Sequence, residues 1–226
     1  MLNQILTPPD AAAVAFFRNI DARQMMRLDG VTWEQYVAVA DAFPDRPALR
    51  ITFDGERLEL MTTSAPHERF KKFLGRLFET LTYEQEIDIV CGGNTTFRRE
   101  DIKRGLEPDE CYWVANEPAM RHLGQWDPSA HPPLDLAFEV DITSSSINRQ
   151  DIYARLGVAE LWRFDGERLH SLMLDSGRYV AIPESLAVPG LVVNDLLPFL
   201  YQMLTERENA ILKMFIEWIH ETFRPN

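Results

Sequence analysis

An α/β fold is what this 226-residue sequence predicts: a central mixed β-sheet flanked by helices, with hairpin extensions. Three patterns predict it. Apolar residues alternate on both sides of a tight turn between Leu49 and Leu60. They switch to helical spacing between Pro66 and Glu84. A third stretch, Leu134 to Asp141, alternates again, this time with carboxylates on one face. A hydrophobic period that moves from 2 to 3.6 and back belongs to strands and helices sharing one core.

Taken in order, residues 10–42 read as short helices. Thr32-Trp33-Glu34-Gln35 has the capping-box form, a Thr cap with Gln three residues later. Leu49, Ile51 and Phe53 alternate, Asp54-Gly55 supplies the turn, and Leu58 and Leu60 alternate again, which is a hairpin pattern. Glu59 falls on the face opposite Leu58 and Leu60, either as surface charge or as part of an acidic site. Ser64 and Pro66 start a helix whose stripe is Phe70, Phe73, Leu74, Leu77, Phe78 and Leu81. His67, in its first turn, has a substrate contact and a capping or solvent role as alternatives.

Ile87 to Cys91 is a short strand ended by Gly92-Gly93. Arg98, Arg99, Lys103 and Arg104 form the densest basic cluster of the chain, either a solvated hairpin or a contact for phosphates. Residues 115–133 are loop-like. After the acidic strand, Ser144 to Ser146 are suited to cap a helix running from about Asn148 to Leu156, with Gly157 as its stop. Val158 to Phe164 is a strand that Asp165-Gly166 turns into Leu169 to Leu174. Ser176-Gly177 turns that into Tyr179 to Ile182. Two apolar helical stripes close the sequence, one over Leu196 to Leu204 and one over Ile211 to Phe223. The last stripe needs cover, from its own core or from a second subunit, so a homodimer through this helix is one expectation. The divisions expected are an N-terminal helical extension over residues 1–30, a main domain over 31–204 and a C-terminal helix over 205–226.

Composition narrows the function classes. At 46% hydrophobic and 26% charged residues, the sequence reads as a soluble globular protein. No apolar run reaches the roughly 20 residues that span a bilayer, and no secretory signal is evident, so a cytoplasmic location and no membrane partner are expected. Cys91 and Cys111 make neither a disulfide framework nor a zinc quartet and read as small core residues. A net charge of −12 argues against general coating of nucleic acid but leaves room for a local basic groove. Neither a G-x-S-x-G elbow nor a phosphate-binding P-loop is present.

The chemistry rests on carboxylates. Asp109 stands at the mouth of the segment Glu110 to Val114, and Glu139 lies in the acidic strand. Two carboxylates on neighbouring strands can hold Mg²⁺ or Mn²⁺, hard cations that prefer oxygen ligands. A cation there would activate water and neutralise charge on a phosphodiester.

The segments VTWEQYV, DGERLELM, SAPHERF, RGLEPDECYWV, PPLDLAFEVDITSSS and IYARLGVAELWRFDGERL occur in this order. In this they resemble the Uma-type family of restriction endonucleases, which has the PD-(D/E)xK nuclease fold. The resemblance covers roughly residues 30–200. It implies a restriction-endonuclease-like fold and a Mg²⁺-dependent endonuclease acting on DNA. Asp109 matches the aspartate of the PD motif and Glu139 the following acid, the two that hold metal, with the Val140 carbonyl as a further ligand. Asp141 stands where the motif has lysine and is either a second metal ligand or a supporting acid. Many Uma-type proteins carry a basic residue four positions before a tyrosine, and here Arg149 precedes Tyr153. Lysine can act as a base, whereas Arg149 can only orient water or stabilise phosphate charge. The other reading of Arg149 is a helix-surface residue paired with Glu139 or Asp141. An inactive nuclease fold that binds nucleic acid or protein is the alternative function.

Overall fold

A computed structural model of the chain describes residues 24–42, 49–93, 95–122, 126–140 and 147–223. Among these, six α-helices and two β-sheets form the expected mixture of helix and strand. The hairpin is not an extension of one central sheet. It belongs to a sheet of its own.

The first sheet, antiparallel throughout, has five strands: β1 (Met25–Leu28), β2 (Leu49–Phe53), β3 (Leu58–Thr62), β5 (Phe97–Arg99) and β6 (Arg104–Leu106). Their order is β1-β3-β2-β6-β5. Helix α1 (Trp33–Ala42) covers one face, where Trp33, Tyr36 and Ala40 pack on Ile51, Phe53 and Leu58. The capping box forms as read: the Thr32 amide donates to Gln35 Oε1 at 2.8 Å and the Gln35 amide to Thr32 Oγ1 at 3.3 Å. Residues 25–28, expected in a helical extension, are a strand paired with β3. Residues 1–23 of that extension lie outside the described residues.

The second sheet has six strands: β4 (Val90–Cys91), β7 (Glu110–Trp113), β8 (Leu136–Val140), β9 (Glu160–Phe164), β10 (Leu169–Asp175) and β11 (Arg178–Ala181). The order is β11-β10-β9-β8-β7-β4, and β8 with β9 is the parallel pair that makes the sheet mixed. Helix α2 (Ala65–Glu84) lies on one face. Ser64 caps it, accepting from the His67 amide at 3.2 Å, and its stripe meets Tyr112, Phe138, Val140 and Trp162. A short helix α3 (Glu117–Met120) interrupts the loop after β7. Helix α4 (Arg149–Leu156) packs on the other face, capped by Asn148 and ended by Gly157 at φ +80°. The expected cap at Ser144 to Ser146 lies outside the described residues.

Helices α5 (Leu197–Gln202) and α6 (Glu208–Thr222) finish the α2 side. Ile211, Phe215, Trp218 and Ile219 are buried in the chain's own main core, where Phe199 and Phe215 meet at 4.9 Å. The C-terminal stripe is thus covered within the subunit, and the expected homodimer contact loses its basis. Cys111 is buried as expected, but Cys91, at the sheet edge, is exposed.

Candidate active site

β8 is buried on both faces, so its alternation sorts residues between two environments rather than between core and solvent. Leu136, Phe138 and Val140 face α2, whereas Ala137 packs on the α4 side. Glu110 pairs with Phe138 across β7 and β8, which brings the preceding Asp109 alongside Glu139. The Asp109 amide donates to the Phe138 carbonyl at 3.1 Å, and the Val140 amide donates to Asp109 Oδ2 at 2.8 Å. Both carboxylates are therefore fixed by the ladder. They are also nearly enclosed, at 5% and 7% exposure.

A buried carboxylate needs a compensating cation, and each has a different one. Arg149, the first residue of α4, donates from Nε to Glu139 Oε2 at 3.0 Å and from Nη2 to Oε1 at 2.5 Å. The same guanidinium also donates to Thr52 Oγ1 and to the Glu107 carbonyl. Tyr153, one helical turn on, donates its hydroxyl to Glu139 Oε1. The spacing of four puts both side chains on one face of α4. Of the two readings of Arg149, the ion pair with Glu139 is present, but it is a buried pair. Asp141, the other expected partner and a candidate site residue, lies outside the described residues.

Asp109 is compensated from the other side. His67 Nε2 stands 3.3 Å from Oδ2, and Arg50 Nε 3.9 Å from Oδ1. His67 is 1% exposed, so the expected solvent role does not apply. Arg50 and Thr52 alternate along β2 and share a face, and Thr52 pairs across the strands with Glu59. That face of the first sheet supplies Arg50 to Asp109 and Thr52 to Arg149. Glu59 is 1% exposed, so it is not surface charge. Arg50 is also 1% exposed, and none of its guanidinium nitrogens makes a hydrogen bond among the described residues.

The two carboxylates respond oppositely. Burial by itself would raise the Asp109 carboxyl, but His67, Arg50 and the Val140 amide outweigh it and hold the group well below the usual range. Burial raises the Glu139 carboxyl, Arg149 pulls it back, and the Asp109 charge adds to the rise. Glu68, beside His67 and Arg50, is brought down to about 2: burial opposes this, and contacts with His67, Thr63 and Lys71 outweigh it.

Asp109 is an ionised oxygen donor whose Oδ1 accepts no hydrogen bond among the described residues. Among the described residues, Glu139 Oε2 accepts from Arg149 Nε. Mg²⁺ is commonly held by one or two carboxylates with several waters retained, so this pair fits such a cation, with Arg149 as competitor for Glu139. No group of three His, Cys, Asp or Glu residues arranged to hold a metal occurs among the described residues.

The structure brings Asp109, Glu139 and Arg149 together. Arg50, Thr52, Glu68 and the Glu107 carbonyl were not foreseen. A possible signal for two of them was the alternation of Arg50 and Thr52 opposite Ile51 and Phe53, a polar face on a strand. The basic cluster at 98–104 is largely neutralised locally, Arg98 by Asp41 at 2.8 Å, Arg99 by Asp101 at 2.5 Å and Lys103 by Glu100 at 3.5 Å.

A family model described as Uma2, putative restriction endonuclease, matches residues 33–204. No curated protein matches the chain.

Proposed function

Because the chain belongs to the Uma2 family, we propose that it is a Mg²⁺- or Mn²⁺-dependent endonuclease hydrolysing DNA phosphodiester bonds at the Asp109–Glu139 pair. The observation that carries this reading is the convergence of two buried carboxylates from adjacent strands with an arginine and a histidine at their sides.

Asp109 and Glu139 would hold the cation, which supplies a nucleophilic water and neutralises phosphate charge. The residues around them have separable tasks. His67 and Arg50 keep Asp109 ionised, as a ligand of a hard cation must be. The Val140 amide fixes which way that carboxylate points. Arg149 shares its donors between Glu139 and an incoming phosphate oxygen and so stabilises charge as the bond breaks. It takes no proton, because a guanidinium is already protonated and does not lose its proton in this range. Tyr153 donates a hydrogen bond to Glu139 and holds that carboxylate against α4.

One observation favours a second reading, an inactive fold that binds nucleic acid or protein. Arg149 spans both oxygens of Glu139, a protein carbonyl and Thr52, which occupies its donors within the protein. Calorimetric titration with Mn²⁺ separates the two. Binding that disappears in Asp109→Ala supports the nuclease. A folded wild-type protein that takes up no Mn²⁺ supports the binding module.

A further inference from the structure

The exposed face of α2 carries Arg69, Lys72 and Arg76, three and four residues apart, so they stand on one side of the helix. Its opposite side is the apolar stripe. This face lines a cleft of about 590 Å³ whose wall also includes Glu68 and Lys71. Glu68 Oε1 lies 3.6 Å from Arg50 and 3.7 Å from His67, the two residues beside Asp109. Through Glu68, one wall of the cleft touches the residues that surround Asp109. At its far end it joins a second cleft of about 620 Å³, which shares Arg69, Arg76 and Glu208 and adds Arg207 and Lys213.

The cations here differ from those at 98–104. Three of those are matched one to one by acids. On α2, a single carboxylate serves two guanidiniums: Glu208 Oε1 lies 3.2 Å from Arg69 Nε, and Oε2 lies 3.5 Å from Arg76 Nη1. Two arginines closing on the oxygens of one anion is the geometry that also receives a phosphate. Lys72 is 76% exposed, and its nearest carboxylate oxygen, on Glu110, is 3.7 Å away. Among the described residues neither Arg207 nor Lys213 makes an ion pair, and both are exposed. Glu206 and Glu208 are the acids on the stretch that carries Arg207 and Lys213.

From this we infer that the α2–α6 face is the track for a nucleic-acid backbone, carrying phosphates from Arg207 and Lys213 along Arg76, Lys72 and Arg69 toward Asp109. The inference rests on the nuclease reading for what lies at the end of the track. In a chain of net charge −12, a local cationic ridge also sets how a polyanion approaches, since the rest of the surface repels it. The seven steps from Arg69 to Arg76 advance about 10 Å along the helix, enough to follow several phosphates.

The test is binding of a fluorescein-labelled 20-base-pair DNA duplex, read by anisotropy over a range of salt concentrations in EDTA, so that nothing is cleaved. The triple variant Lys72→Gln, Arg207→Gln, Lys213→Gln leaves the Arg69 and Arg76 bridges intact and should fold normally. Its affinity should fall at least tenfold, and the slope of log K against log salt should shrink by up to about three. The variant Arg98→Gln, Arg99→Gln should bind like wild type. Equal affinity of the triple variant and wild type overturns the track. So does an equal loss in the 98–99 variant, or ridge-dependent binding of poly-glutamate with none of DNA. The two proposals fail separately. Ridge-dependent binding without cleavage in Mn²⁺ keeps the track and removes the nuclease. Asp109-dependent cleavage by a triple variant of undiminished affinity does the reverse.

Discussion

Glu139 has both carboxylate oxygens held by Arg149, and each partner is about nine-tenths buried. Removing one side of such a pair leaves an uncompensated charge in a poorly hydrated place, which costs about 3–5 kcal/mol. Arg149→Met should therefore destabilise the protein by about that amount in urea unfolding. Adding Glu139→Gln should restore much of the loss, because the stranded charge is gone. A double variant no more stable than the single one would contradict this account of the pair. Glu68 gives a pH-dependent counterpart. Its carboxyl, at about 2 against an ordinary 4.5, binds a proton less readily folded than unfolded. Its contribution is thus present above pH 4.5 and lost as pH falls toward 2. Urea unfolding across that range should show a shallower acid loss in Glu68→Gln than in wild type. That Asp109 and Glu139 stand side by side was legible because their motifs are local. The places of Arg50 and His67 were not, because burial of a first-turn histidine and a strand arginine is decided by how the two sheets meet.

At the scale of elements, the last helix and the first sheet carry the strongest expectations. Phe215 on α6 is fully enclosed against Phe199 and Trp218. Phe215→Ala should cost about 3–5 kcal/mol, and deletion of residues 205–226 should unfold or aggregate the protein rather than release a folded monomer. A soluble, cooperatively folding deletion would contradict burial of α6 within the subunit. On β6, Gly105 lies directly beneath the Tyr36 hydroxyl of α1, where an added methyl collides. Gly105→Ala should lower stability by about 1–3 kcal/mol, checked by thermal unfolding. The elements most visible in the sequence were those with local signals: the Asp54-Gly55 hairpin, the Ser64 cap with its apolar stripe, and the Gly157 stop. The division into two sheets was not visible, because β2 meets β6 through pairing far along the chain, Phe53 opposite Gly105. Nor was the strand at Met25–Leu28, four exposed residues whose strand character comes from pairing with β3.

For the whole molecule, the two sheets and two helix N-termini matter as a frame. The first sheet brings Arg50 and Thr52 to the end of the second, and α2 and α4 begin there with His67 and Arg149. Three separate elements, β2, α2 and α4, thus converge on two carboxylates. No helix among the described residues is long and apolar enough to cross a membrane. The central claim is that this convergence is a hydrolytic centre that depends on Asp109. Supercoiled plasmid incubated with Mn²⁺ and either wild type or Asp109→Asn, both verified as folded by circular dichroism, tests it most directly. The account predicts nicked circles with wild type and none above background with the variant. Equal nicking by the two proteins, or none by either, would contradict it.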